Sequence, residues 1–339
     1  MKAAVITKPH GPFEFVDRPI PTPGPGQVVL KTKACGICHT DAVVKDNLWG
    51  LPYPRVPGHE VIGAVHAVGA GVKAPFNTVG KVFGVGWVGN SCGECASCIK
   101  GLRHQCSTGV ITGINTDGGL SEYVLANASA LVEIPDGMDP AETAPLLCAG
   151  LTVFGALRDN GLQPGSFVGI QGIGGLGSLG ISMARNMGFR TVAVSTSDSK
   201  KDFALSLGAH HFVSTGAGTG VDQINAATGG NGLDAVIITA PFADAVEALL
   251  PAMAFRGVVV IVALLDRKLT IDPGMLLTKN IRIVFQTAGD AHENHEGIVF
   301  TQSFGIKPLI ERFPFDKVGE AYDRMITNKV RFRSVVVFE

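Results

Sequence analysis

The stretch Ser166-Phe167-Val168-Gly169-Ile170-Gln171-Gly172-Ile173-Gly174-Gly175-Leu176-Gly177 decides the fold of this 339-residue chain. Its first six residues form a short apolar run of strand character, and its last six follow a GxGxxG pattern. Residues Leu179 to Met187 continue as a helical stretch. A GxGxxG alone carries little. Between a strand and a helix, however, its glycines let backbone amides and the helix N-terminus approach a pyrophosphate. Gly172, Gly174, Gly175, Leu176 and Gly177 are therefore candidate cofactor contacts.

Further strand candidates recur at Thr191 to Ser195, His211 to Val213, Leu233 to Ala240, Gly257 to Ala263 and Arg282 to Thr287, with helical stretches between most of them. This alternation predicts an α/β fold with a doubly wound parallel sheet, a Rossmann-type dinucleotide domain over residues 151–287. NAD-binding sheets usually carry an acidic residue about 20 positions past the glycines, where it holds the ribose 2′-hydroxyl. Here that place reads Val194-Ser195-Thr196-Ser197-Asp198-Ser199-Lys200. With Ser195 aligned on the acid, the carboxylate that would repel a 2′-phosphate is missing. Ser195, Thr196, Ser197 and Lys200 supply hydroxyls and a cation to bind one, so NADP(H) is favoured. Asp198, if turned inward, leaves NAD(H) open.

N-terminal to that domain, Ala3-Ala4-Val5-Ile6 and Val28-Val29-Leu30-Lys31-Thr32 read as strands around a stiff Pro19 to Gly26 turn. Directly after the second strand, Cys38-His39-Thr40-Asp41 packs a thiol, an imidazole, a hydroxyl and a carboxylate into four residues. A thiolate at Cys38 is a soft ligand suited to zinc, which needs further ligands from elsewhere in the chain. The Pro57-Gly58 turn delivers His59 as the best second ligand. Glu60 is a ligand, a carboxylate bracing the site, or an ion-pair partner.

Cys92, Cys95, Cys98 and Cys106 form a second cluster. Four thiolates at this spacing can surround one tetrahedral zinc with no open position, which makes the site structural. A zinc ribbon for nucleic acid would pair two knuckles and be basic. Here Lys100 and Arg103 are the only basic residues within the cluster besides His104.

Composition sets the outer bounds. The chain is 46% hydrophobic and 17% charged, and its formal charge of -1 gives no electrostatic reason to bind nucleic acid or an anionic membrane. Forty-four glycines and nineteen prolines suggest many turns between short strands. The run after Met1-Lys2 is too short for a signal-peptide core. The longest apolar run, Val258 to Leu265, falls far short of the ~20 residues of a membrane helix and reads as a buried strand. A cytoplasmic chain acting on a small molecule is expected, and its crowded cysteines favour metal over disulfide.

Cys38-His39-Thr40-Asp41 followed by Gly58-His59-Glu60 resembles the zinc-containing alcohol dehydrogenases of the medium-chain dehydrogenase/reductase family, and the likeness covers nearly the whole chain. Read alone, Cys148 is a small core residue. The segment Pro145-Leu146-Leu147-Cys148-Ala149-Gly150-Leu151-Thr152 matches the one that supplies the third ligand of the family's catalytic zinc. The resemblance thus implies a zinc held by Cys38, His59 and Cys148, with a fourth position open for substrate. It also implies a mostly-β GroES-like catalytic domain over residues 1–150, with a structural zinc lobe at 92–106 and a C-terminal return over 288–339.

The resemblance assigns further roles. Thr40 passes the alcohol proton, and Asp41 hydrogen-bonds His59 to fix its ring. Thr152 touches the nicotinamide; His39 and Arg333 approach the pyrophosphate, with a surface strand charge as the alternative for Arg333. Trp49 and Trp87 are walls of the substrate pocket or plain core. The cofactor loop resembles the NADPH-dependent cinnamyl alcohol dehydrogenase branch. The implied activity is hydride transfer between a nicotinamide cofactor and a primary alcohol or aldehyde, with two Zn2+ per subunit in a homodimer or homotetramer. Competing readings are an NADPH-dependent quinone or alkene reductase, whose members generally lack both zinc clusters, and a non-catalytic zinc-stabilised nucleotide sensor.

Two stretches depart from the family. Many relatives carry a histidine three residues after the threonine, extending the proton relay, where this chain has Val43. The relay must then be shorter, or run through the ribose and water. His292-Glu293-Asn294-His295-Glu296 is not an HExxH zinc motif, because its histidines are three apart; a solvated helix or loop is expected. The final Lys329 to Phe338 reads as a strand.

Overall fold

Phe167–Gln171 folds as a strand with four consecutive buried residues, the pattern of a strand covered on both faces. The computed structural model describes residues 1–339 except Ala217, Asn328 and Arg331. Its chain divides into two units, Thr152–Thr287 and the combination of Met1–Leu151 with Ala288–Glu339.

In the unit Thr152–Thr287, Phe167–Gln171 lies inside a six-stranded sheet. The order is His211–Ser214, Arg190–Ser195, Phe167–Gln171, Leu233–Ile238, Met253–Ile261, Arg282–Phe285, and every pairing is parallel. Strand order reverses beside Phe167–Gln171, and open sheets of this kind bind ligands at such a reversal. Val192, Val194, Val236, Ile238 and Val259 are among the buried side chains that fill the core. The apolar run Val258 to Leu265 is only partly strand: the strand ends at Ile261, and Leu264 is 64% exposed.

The other unit is built on a seven-stranded sheet. Its path runs Ile310–Pro314, Arg333–Val337, Gln27–Ile37, Glu60–Val68, Val82–Val85, Leu131–Glu133, with Tyr123–Asn127 also pairing Gln27–Ile37. Only the first pair is parallel. Leu30, Ile37, Val61, Phe83 and Leu120 belong to its core. Gln27–Ile37 and Glu60–Val68 pair so that Gly36 faces Glu60, which brings the residues just after one strand beside the start of the other. The C-terminal strand is Arg333–Val337, shorter than the stretch Lys329 to Phe338 suggests, and Arg331 lies outside the described residues.

The helix Pro140–Thr143 is capped by Asp139, whose carboxylate accepts from Ala141 N and Glu142 N. A 3-10 turn, Ala144–Leu147, follows, and then the helix Ala149–Arg158. Cys148 stands between the two with φ -129 and ψ -73, outside the helical region. The break lets its side chain leave the helical register.

His292 to Glu296 form a helix, one of the two expected alternatives, with His292 and Glu296 exposed, but the segment is only partly solvated. These residues open the helix Ala291–Ser303, which Asp290 and Glu293 cap reciprocally, and Asn294 is buried. His295 Nδ1 lies 3.0 Å from the Glu133 carbonyl, so this polar stretch docks inward on the sheet. Among the described residues no single helix is long and apolar enough to cross a membrane.

Candidate active site and metal centres

The strand Gln27–Ile37 ends one residue before Cys38, which forms the N-cap of the 3-10 turn His39–Asp41. Glu60–Val68 starts one residue after His59. With the helical break at Cys148, these ends bring Cys38, His59, Glu60 and Cys148 together, their ligand atoms all within 4.8 Å of one another. The Cys38 and Cys148 sulfurs are 3.9 Å apart. Two thiolates on a tetrahedral zinc, with Zn–S near 2.3 Å, stand about 3.8 Å apart.

His59 gives the sharper test of metal fit. It has no exposed surface, yet among the described residues neither ring nitrogen has a hydrogen-bond partner. A buried imidazole left unpaired on both sides is costly unless it ligates an ion. The residues present therefore fit zinc, and Cys38, His59 and Cys148 would hold it, with Glu60 beside them. A zinc bound there acts as a Lewis acid towards a substrate oxygen.

The four groups also act on one another's protonation. The bond to Cys148 holds the Cys38 thiol well below its ordinary range, with His59 adding to the effect, and the same bond pushes Cys148 well up. Burial works to lower His59, but Asp41 and Cys38 raise it well above the ordinary imidazole value. Burial also lifts Glu60 to about 7, with Arg333 opposing.

Asp41 is buried, and its carboxylate bonds the main chain on both sides of the ligand pair: Oδ2 accepts from Cys38 N at 2.9 Å and Oδ1 from Gly58 N at 3.2 Å. His59 Nδ1 is 3.5 Å from Oδ1, longer than an ordinary hydrogen bond. Asp41 thus braces both ligand-bearing backbones more firmly than it holds the imidazole. Thr40 Oγ1 lies 3.5 Å from Cys38 Sγ, placing its hydroxyl at the cluster, while His39 on the same turn is exposed. Val43 is buried with Ile6, Val44 and Ile114 and carries no group that could move a proton.

Trp87 packs edge-on to the His59 ring, centroids 5.2 Å apart, and Trp49 packs edge-on to Trp87 at 6.5 Å. Trp49 is 48% exposed, so it stands at a rim and not in the core. Arg333 is buried and donates to Glu60, which removes the alternative of a surface strand charge.

The second cluster is local. Cys92, Cys95, Cys98 and Cys106 also hold their ligand atoms within 4.8 Å. Sulfur separations are 3.9 Å for Cys92 and Cys98, 4.0 Å for Cys95 and Cys106, and 3.5 Å for Cys92 and Cys106. The paired strands Val88–Asn90 and Val110–Ile111 close the base of this loop. Four sulfurs at these distances match a closed tetrahedral zinc shell.

In the unit Thr152–Thr287, Gly172 has φ +88, which favours glycine, and the helix Gly175–Asn186 begins after the N-cap Gly174. A Cβ on Gly177 would lie 1.7 Å from the Gly172 carbonyl oxygen, so only glycine lets the helix start this close to the strand. Leu176 stands in the first turn of that helix. At the end of the next strand, Ser195 is buried, whereas Thr196, Ser197 and Lys200 are exposed. Lys200 Nζ donates to the Ile173 carbonyl at 2.9 Å, holding a cation against the glycine turn. Thr152 is buried on Ala149–Arg158.

The whole chain aligns with an alcohol dehydrogenase (notN) of Aspergillus sp. (strain MF297-2) at 35% identity over 338 residues, covering 100% of this chain and 98% of the relative. The chain belongs to the alcohol dehydrogenase family. Two family models match within it, an alcohol dehydrogenase GroES-like domain over residues 24–136 and a zinc-binding dehydrogenase over residues 175–302. A solved NAD-dependent alcohol dehydrogenase superposes with a TM-score of 0.92 at 26% identity, covering 100% of both chains. The CAD of Helicobacter pylori, solved with NADP(H), superposes with a TM-score of 0.87 at 26% identity over 99% of this chain and 97% of that one. The fold is that of the medium-chain dehydrogenase/reductase alcohol dehydrogenases, and the activity class is NAD(P)-dependent oxidoreduction of alcohols.

Aligned family segments make Cys148 and Arg333 visible, since neither stands in a local motif. Asp117 stands in a stretch that reads only as a turn, and no spacing signal marks it.

Proposed function

We propose that this family member is a zinc-dependent enzyme that transfers hydride between NADP(H) and a primary alcohol or aldehyde, with aldehyde reduction as its working direction. The observation that carries the metal reading is the fully buried His59, without a hydrogen bond on either ring nitrogen among the described residues, beside the close sulfurs of Cys38 and Cys148. The cofactor reading rests on the exposed hydroxyls of Thr196 and Ser197 and on Lys200 after a strand that ends in Ser195, where a carboxylate would repel a 2′-phosphate.

In this reading Thr40 passes the substrate proton, and Asp41 holds the backbone of both ligand segments in place. Trp87 and Trp49 form the apolar wall that excludes water from the reacting carbon. Arg333 balances Glu60, and the four cysteines hold a structural zinc. A homo-oligomer is part of the proposal, supported by the unpaired outer edge of Arg282–Phe285, on which Phe285 is 65% exposed.

The test is a rate comparison on purified, zinc-loaded protein, with benzaldehyde and a short aliphatic aldehyde, first with NADPH and then with NADH. Faster turnover with NADPH, lost on Cys38→Ser, supports the proposal. An NADH preference overturns the 2′-phosphate argument and leaves the metal reading standing. No turnover with either cofactor favours a nucleotide sensor.

A further inference from the structure

We propose that the turn Asp117–Leu120 is the mould that sets His59 as a metal ligand, and that Asp117 is its positioning residue. The proposal rests on the reading of Cys38, His59 and Cys148 as a zinc site.

His59 follows a segment with no regular structure of its own from Arg55 to Gly58, so its place depends on where the polar groups of that segment are satisfied. Arg55 exchanges both main-chain bonds with Ile6, and Gly58 N goes to Asp41. Everything else goes to one turn. Gly118 N donates to Val56 O at 2.8 Å, Leu120 N to Pro57 O at 3.1 Å, and Gly119 N to Gly58 O at 2.9 Å. Asp117 Oδ1 accepts from Val56 N at 3.0 Å, completing a four-bond ladder.

The ladder admits little slack. Gly58 has φ +103, and a Cβ on Gly118 would lie 2.2 Å from the Gly58 carbonyl oxygen. A Cβ on Gly119 would lie 2.3 Å from the Val61 side chain. The two backbones can meet only as glycine against glycine.

Asp117 fixes the register of that meeting. Its Oδ2 accepts from Arg18 Nη1 at 2.9 Å, and its Oδ1 also accepts from Arg55 Nη1 at 3.3 Å. Both arginines are largely covered, with side-chain exposures of 28% and 14%. One carboxylate thus ties the distant Arg18 and the adjoining Arg55 to the amide three residues ahead of His59. Asp117 belongs to neither metal cluster and acts through the main chain.

The test follows zinc release from the loaded protein to the chelator 4-(2-pyridylazo)resorcinol, with Cys148→Ser used to assign the phase of the three-ligand site. In Asp117→Ala that phase should quicken about ten-fold or more, the scale on which lost support of a ligand weakens metal binding, while the four-cysteine phase stays within about two-fold. Asp117→Asn keeps an oxygen for Val56 N and loses both ion pairs, so its three-ligand phase should quicken about three-fold. If Asp117→Ala does not fold, Asp117→Asn decides alone. Unchanged release, or equal quickening of both phases, overturns the proposal. A wild type that releases only the four-cysteine zinc overturns the metal reading itself, and this inference with it.

Discussion

Arg333 and Glu60 stand 273 positions apart in the chain, yet their charges meet with side-chain exposures of 5% and 0%. The contact joins the C-terminal strand to the residue immediately after the ligand His59. Glu60 Oε2 and Arg333 Nε have no hydrogen-bond partner among the described residues, so their mutual contact carries much of what offsets the desolvation of both ions.

Breaking that pair from one side should therefore cost more than removing it. Arg333→Ala leaves a buried carboxylate without its cation, and should lower unfolding stability by roughly 3 kcal/mol. Adding Glu60→Gln to it should restore most of the loss, because the remaining group is neutral. Urea melts of the zinc-loaded single and double variants measure this coupling. Additive losses would mean that the ions do not depend on each other.

Thr40 is the only hydroxyl on the turn that carries Cys38, and Val43 offers no continuation for a proton. Thr40→Ala should lower kcat roughly ten-fold or more, while Thr40→Ser keeps most of it. The comparison needs the KM for aldehyde alongside kcat, since a pocket defect would raise KM first. Near-normal turnover in Thr40→Ala would show that water alone carries the proton.

What could be read from the sequence was what is local. Gly172 to Gly177 sit between a strand and a helix within one short stretch, and the four cysteines lie on one loop, so both sites declare themselves by spacing. Cys148 does not, because its role depends on a helical break and on two strand ends that fold to meet it; the family segment supplied what spacing lacks. Arg333 shows no sign of its partner 273 residues away. The polar run His292 to Glu296 looked solvated because a helix pattern with few apolar residues does not tell which face is buried, and Asn294 and His295 turn inward through polar contacts. Apolar residues continue past the strand that ends at Ile261, so the apolar run alone overstates its extent.

The four-cysteine cluster should behave as a unit separate from the chemistry. Cys98 is its buried member, 3.9 Å from Cys92. Cys98→Ser should remove one zinc per chain and lower the melting temperature by roughly 5–10 °C, since metal binding at a closed site contributes directly to folding. Metal analysis together with a thermal melt checks both halves. Loss of the zinc with an unchanged melting temperature would make the cluster dispensable for folding.

The cofactor loop gives the cleanest reversal. Ser195 ends its strand where an acid would hold the ribose 2′-hydroxyl, and Lys200 already lies against the glycine turn through the Ile173 carbonyl. Ser195→Asp places a carboxylate where the proposed cofactor's 2′-phosphate would come, and should lower kcat/KM for NADPH by roughly 10–100-fold, the scale of one lost charged interaction, while sparing or improving NADH. Lys200→Ala should weaken NADPH more than NADH for the same electrostatic reason. Measuring all four rates separates two outcomes: opposite movement of the cofactors assigns the loop to 2′-phosphate recognition, and a parallel fall would assign Lys200 to shaping the glycine turn alone.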